Sequence, residues 1–136
     1  MKYSDIEDAY FFVSMSPQYE HSVMLNKDTG DMYYLSELGD SDELPEDADE
    51  SDSYISIPHK NDLDLGIRLV MDFAAEYCPA ELRQVQDIFR RKGAYSRYKD
   101  FLETKGLLDK WYDFEKRHTE VELRQWCEGN GIELTD

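Results

Sequence analysis

The residues best suited to chemistry in this chain lie between positions 90 and 99, where Arg90-Arg91-Lys92-Gly93-Ala94-Tyr95-Ser96-Arg97-Tyr98-Lys99 holds five bases and no acid. Positive charge gathered around a glycine, with one helix ending before it and another starting after it, suits a phosphate or a carboxylate. Backbone N–H groups and the dipole at a helix start both favour an anion, and guanidinium or ammonium groups add charge-assisted bonds. On this reading Ala94, Tyr95 and Ser96 supply N–H donors, while Arg91, Lys92, Arg97 and Lys99 supply charge around Gly93. Tyr95 or Tyr98 could stack on a nucleic-acid base. The same residues admit a plainer role, in which Arg90, Arg91 and Lys92 complement the negative end of the preceding helix by ~0.3–1 kcal/mol each and the tyrosines pack in the core. A third arrangement pairs the patch with an acidic segment of the same chain, held nearby at high effective concentration.

Other catalytic chemistry is poorly served. His21, His59 and His118 fall on three different elements, and none is spaced with another His or a Cys as metal ligands are. Nucleophile elbows, phosphate-binding glycine loops and HExxH are absent. Asp109, Asp113 and Glu115 bracket Trp111-Tyr112, yet carboxylates at such spacing are common on solvated helix faces. The two cysteines, Cys78 and Cys127, form no CxxC pair and read as small buried residues in a reducing compartment. No cofactor or metal is expected.

Outside the basic run the chain is acidic: 136 residues with a net charge of −16. The charge is unevenly spread, with only Lys2 and Lys27 as bases before Lys60. Between Glu37 and Asp52 there are nine acids, one proline, no base and no aromatic residue, too little apolar surface to offset the entropy of ordering. This should be a mobile acidic loop, 37–52. It lacks the glycine and spacing of a calcium-binding loop. Net repulsion opposes nonspecific DNA binding by the surface as a whole, although screening over about 8 Å lets a local basic patch act on its own. No apolar run approaches a membrane span and the N-terminus has no leader pattern, so a cytoplasmic location without membrane contact is expected.

The elements that must position these residues are legible from periodicity and turn chemistry. Ser4-Asp5-Ile6-Glu7 has capping-box spacing and should open a helix with Ile6, Ala9, Tyr10 and Val13 inward. Ser22–Asn26 and Asp31–Ser36 flank Lys27-Asp28-Thr29-Gly30 as a β-hairpin, and Tyr54–Pro58 reads as a third strand. Helices follow. One is capped by Asn61, with Leu63, Ile67, Val70, Ala74 and Tyr77 as its inner stripe. A second is opened by Pro79, carries Leu82, Val85 and Phe89, and stops at Gly93. A third runs from Ala94 to Lys105, and a long one from Leu107 to Cys127, where Thr119 and Glu122 could start a fresh helix. The expected fold is α+β in one domain, 1–136: a small three-stranded antiparallel sheet in 1–58, packed on four to five helices in which 59–136 is the helical part.

Leu25-Asn26-Lys27-Asp28-Thr29-Gly30-Asp31, Tyr54-Ile55-Ser56-Ile57-Pro58, Met71-Asp72-Phe73, the run Lys92 to Asp100 and Trp111-Tyr112 together give the chain a family likeness. In order and spacing it resembles an uncharacterised bacterial protein family, number 0158 in the UPF series. The likeness covers nearly the whole chain. The family tends to carry Gly where this chain has Arg91, Phe at Tyr95 and Tyr98, and Arg at Ser96. The resemblance implies a bacterial or phage source and an α+β domain, and it implies no activity.

Three functional classes follow. The first is a noncatalytic interaction or regulatory domain whose basic turn takes an anionic protein partner, a phosphate-bearing ligand or nucleic acid. The second is an acidic inhibitor that mimics nucleic acid, of the anti-restriction or anti-CRISPR type. The third is an enzyme acting on a phosphorylated substrate.

Overall fold

The computed structural model describes residues 1–17, 19–36, 42, 44–46 and 52–135; most of the expected acidic loop, 37–52, lies outside the described residues. The chain groups into two compact units, Met1–Leu63 with Val121–Asp136, and Asp64–Glu120. This differs from a division at residue 58: the end of the last helix groups with the sheet.

In the first unit, α1 (Tyr3–Ser14) buries Tyr3, Ile6, Ala9, Tyr10 and Val13, the expected stripe extended back to Tyr3. The capping box does not form. Lys2 is the N-cap and no side chain caps the helix; instead the Tyr3 hydroxyl donates to the Glu7 carboxylate at 3.0 Å, one turn away. The helix begins two residues earlier than Ser4 could cap because Tyr3 gains a buried position and rests under the Arg124 guanidinium, 4.5 Å from its ring centre.

β1 (His21–Asn26) and β2 (Met32–Ser36) form the expected antiparallel hairpin, with Val23 opposite Tyr34. Its turn is built by Asn26, whose side-chain oxygen accepts from the N–H groups of Asp28 at 2.9 Å and Thr29 at 3.3 Å. Gly30 follows at φ 81°, a conformation glycine takes without strain. β3 (Tyr54–Ser56) is shorter than expected and pairs with β1, giving the order β2-β1-β3. Central β1 supplies the fully buried Val23 and Leu25.

The chain leaves the sheet through His59, whose ring is 3% exposed and bonded at both nitrogens. Its Nδ1 accepts from the Asn61 N–H at 3.1 Å, so the proton sits on Nε2 and is donated to the Ser16 carbonyl at 3.0 Å. The His59 N–H meets the Asp62 carboxylate at 3.0 Å, and the Lys60 N–H meets the Ser14 hydroxyl at 3.0 Å. These four bonds stitch residues 59–62 together and to the end of α1.

Lys60–Leu63, within the first unit, forms a 3-10 turn where a longer helix was expected. The second unit is helical, and its α2 (Ile67–Tyr77) begins only after Asp64 at φ 55°. Its frame is rotated from expectation: Leu69, Val70, Phe73 and Ala74 are buried, while Ile67 is exposed. Apolar residues at 69, 70, 73 and 74 cover two adjacent rows, and packing centres on those rows rather than on Ile67 and Tyr77. A 3-10 turn at Pro79–Glu81 leads to α3 (Leu82–Ile88), and α4 (Ala94–Thr104) buries Tyr98 and Leu102. α5 (Leu108–Gly129) runs without interruption through Thr119, which is buried mid-helix and starts no new one. The described fold is thus α+β: a three-stranded antiparallel sheet with five α-helices.

Aromatic rings dominate the core of this unit. Phe73 stacks on Tyr77 at 4.6 Å and meets Trp111 and Phe114 edge-on at 5.4 and 5.2 Å, and Tyr98 meets Trp111 edge-on at 5.1 Å.

Candidate functional site

The turn between α3 and α4 is where the basic run sits, and its shape follows from one glycine and one arginine. After Ile88 the helical bonding tightens, with the Phe89 N–H reaching Asp87 and Val85 carbonyls and the Arg90 N–H reaching Asp87 at 3.2 Å. Gly93 then takes φ 73° and becomes the N-cap of α4. A side chain there would be strained by the left-handed backbone, although the space beside it is ordinary. The helix ends in carbonyls without partners of their own. Arg97 reaches back from the first turn of α4 to fill them, donating to the carbonyls of Lys92 at 2.6 Å, Ile88 at 3.1 Å and Arg91 at 3.1 Å. Its planar fork satisfies three acceptors at once.

That bonding redistributes the roles expected from sequence. Arg97 is committed to the backbone of its own turn. Arg90 pairs with Asp87 at 3.2 Å across one helical turn, and the Lys99 ammonium lies 5.6 Å from the ring centre of Tyr112. Arg91 and Lys92 are exposed, and among the described residues neither pairs with a carboxylate. Gly93 and Ser96 are exposed beside them; Ala94 and Tyr95 are half-buried. Gly93 offers no side chain to cap the first N–H groups of α4, which have no carbonyl ahead of them within the helix.

Tyr98 must be corrected as a stacking platform. It is 0% exposed, wedged edge-on between Phe89 at 5.5 Å and Trp111 at 5.1 Å, so no ligand base can reach its ring. Tyr95 meets Phe89 edge-on at 5.0 Å. Burial pushes the hydroxyl pKa of both tyrosines above the ordinary range, with nearby Glu115 adding to the effect in each. Both stay neutral at physiological pH.

Beside the turn lies an open depression of about 440 Å³ lined by Gln84, Asp87, Ile88, Arg90, Arg91 and Arg97. The contribution of Gln84, Asp87 and Ile88 carried no sequence signal beyond the three-residue spacing of Asp87 and Arg90. Arg97 contacting residues five, six and nine positions back depends on the turn's geometry and on nothing periodic.

No family model matches the chain, and no curated protein or solved structure matches it either. The site therefore stands on its own geometry. Elsewhere the candidates for chemistry stay apart. Among the described residues no three His, Cys, Asp or Glu side chains group as a metal site. His21 stacks on Phe12 at 4.6 Å and His118 lies 4.1 Å from Phe114. Cys78 and Cys127 are buried free thiols, and burial raises the pKa of both above the ordinary value. Among the described residues no helix is long and apolar enough to cross a membrane.

Proposed function

We propose that this protein is a noncatalytic interaction or regulatory domain whose α3–α4 turn takes an anionic group from a partner, a phosphate or a carboxylate. The observation that carries the reading is the pairing of an uncapped helix start at Gly93 with two exposed cations, Arg91 and Lys92, that have no carboxylate partner among the described residues. Arg97 serves as the staple that holds those groups in place. The kinship to the 0158 family belongs to the same proposal, as does a cytoplasmic location, where both thiols stay reduced.

An NMR titration at low salt tests it, with inorganic phosphate, a phosphoserine peptide and a Glu-rich peptide as probes. Amide shifts at Ala94, Tyr95 and Ser96 that saturate in wild type and disappear in Arg91→Ala/Lys92→Ala support the site. Shifts of equal size in the variant, or none at those amides, overturn it. Arg97→Ala is a poor test because it removes the staple and the charge together.

A further inference from the structure

A second surface lies in the sheet-bearing unit. α1 buries one face, and its opposite face carries Ser4, Asp8, Phe11 and Met15 at the four-three-four spacing of a helical stripe. Phe11 is 51% exposed and Met15, at the end of the helix, is 72% exposed. Side chains four apart on a helix are neighbours, so the two form one apolar ridge. Four residues on, Tyr19 is 84% exposed. Single exposed apolar residues are ordinary on a protein surface; here three large ones fall within nine positions of the chain.

Tyr19 adds an independent sign. It sits at φ 78° in a turn closed by the Glu20 N–H on the Pro17 carbonyl at 3.2 Å. Glycine or asparagine is the unstrained choice at such a position, and a bulky ring there is an outlier. The ring gains no burial in return. Strain held at an exposed aromatic residue points toward use rather than stability.

The charge around the ridge defines what fits it. α1 contains Asp5, Glu7 and Asp8 and no base, Asp8 shares the stripe with Phe11, and Glu20 adjoins Tyr19. We infer that the Phe11–Met15–Tyr19 surface docks an amphipathic helix of another protein whose apolar stripe is flanked by lysines or arginines. The ridge of α1 enters the groove between the partner's side-chain rows. Asp8 and Glu20 meet the flanking cations, and this part of the attraction weakens with salt.

Fluorescence anisotropy with a labelled, helix-forming Leu/Lys amphipathic peptide tests the inference, with its scrambled isomer as control and sedimentation of the protein alone alongside. Wild type is expected to bind the amphipathic peptide well above its isomer. Phe11→Ser/Met15→Ser should weaken binding by about tenfold or more, since two apolar side chains lose their burial. Asp8→Asn/Glu20→Gln should weaken it by roughly threefold at low salt and by less at high salt. Tyr19→Gly carries the sharpest signature: it should raise the melting temperature while lowering affinity, because the strain and the docking ring are removed together. The α3–α4 turn variant Arg91→Ala/Lys92→Ala should bind the peptide as wild type does, which separates this surface from the anion site. Absence of binding, equal binding of the two isomers, or unchanged affinity in Phe11→Ser/Met15→Ser overturns the inference. A wild-type dimer that Phe11→Ser/Met15→Ser dissolves also overturns it, assigning the ridge to a second copy of the chain.

Discussion

In the sheet-bearing unit the buried ring of His59 has a partner at each nitrogen, whereas in the helical unit the buried Tyr98 hydroxyl and Trp111 indole N–H have none among the described residues. The two units thus treat buried polarity differently. Around His59 the polar groups hold the backbone of residues 59–62 against the end of α1. Around Tyr98 and Trp111 the rings are placed for their shape, and the polar atoms are carried along at a cost. An unsatisfied buried donor costs on the order of 1–3 kcal/mol, so the helical core must recover this from aromatic packing.

The largest expected effect tests that recovery. Phe73 is fully buried and touches Tyr77, Trp111 and Phe114. Phe73→Ala should destabilise by about 3–5 kcal/mol, through lost burial and the cavity left among three rings. Urea denaturation measures it, and a loss below ~2 kcal/mol would mean that the aromatic cluster does not carry the unit.

His59→Ala probes the other side of the comparison. It strands the Asn61 N–H and the Ser16 carbonyl and should cost about 2–4 kcal/mol. His59→Gln, which keeps one donor and one acceptor, should recover part of that. If alanine and glutamine behave alike in thermal melts, the stitching is not what holds residues 59–62.

Arg97→Ala comes next, at about 1–2 kcal/mol, because its three bonds lie near solvent where water can replace them. Arg97→Lys should recover less than half, since one ammonium cannot span three carbonyls fixed by a planar fork. Equal stability of the lysine and arginine forms would reduce Arg97 to a point charge at the end of α3.

Sequence reading succeeded where the determinants were local. The inner stripe of α1, the hairpin about Gly30 and the break at Gly93 each rest on spacing or on a backbone angle that a named residue permits. It failed where distant packing decides. Ser4 has the right spacing for a cap, yet Tyr3 gains more by entering the helix. Pairing of β3 with β1 rather than β2 leaves no local mark. For the basic turn, the cluster of charge is visible in the order of residues but its bonding is not: nothing there says that Arg97 turns inward to carbonyls while Arg91 and Lys92 stay outward. Tyr19 is the extreme case, a positive φ occupied by a residue type that gives no warning of it.

The smallest effect at neutral pH is the most diagnostic of the difference between the two cores. Tyr98→Phe removes a hydroxyl that satisfies nothing, so stability at pH 7 should change by no more than about 0.5–1 kcal/mol, in the stabilising direction. At high pH the two forms should part. Burial raises the Tyr98 hydroxyl above the ordinary 10.0, with Cys78, Glu115 and Tyr95 adding to it. Unfolded tyrosine therefore releases its proton first, and the unfolded state binds fewer protons than the native one. The contribution is intact below about pH 10 and is lost as pH rises from there toward the folded value, at up to ~1.4 kcal/mol per pH unit for this one group. Half-buried Tyr95 and Tyr34 and the two buried thiols tilt the same way, from about pH 9 for the cysteines, so wild type should weaken steadily in alkali. Tyr98→Phe should weaken less steeply above pH 10, and its advantage over wild type should widen with each step in pH. Parallel curves for the two proteins would mean that the Tyr98 hydroxyl reaches water or an acceptor after all, and the contrast between a satisfied and an unsatisfied core would fall with it.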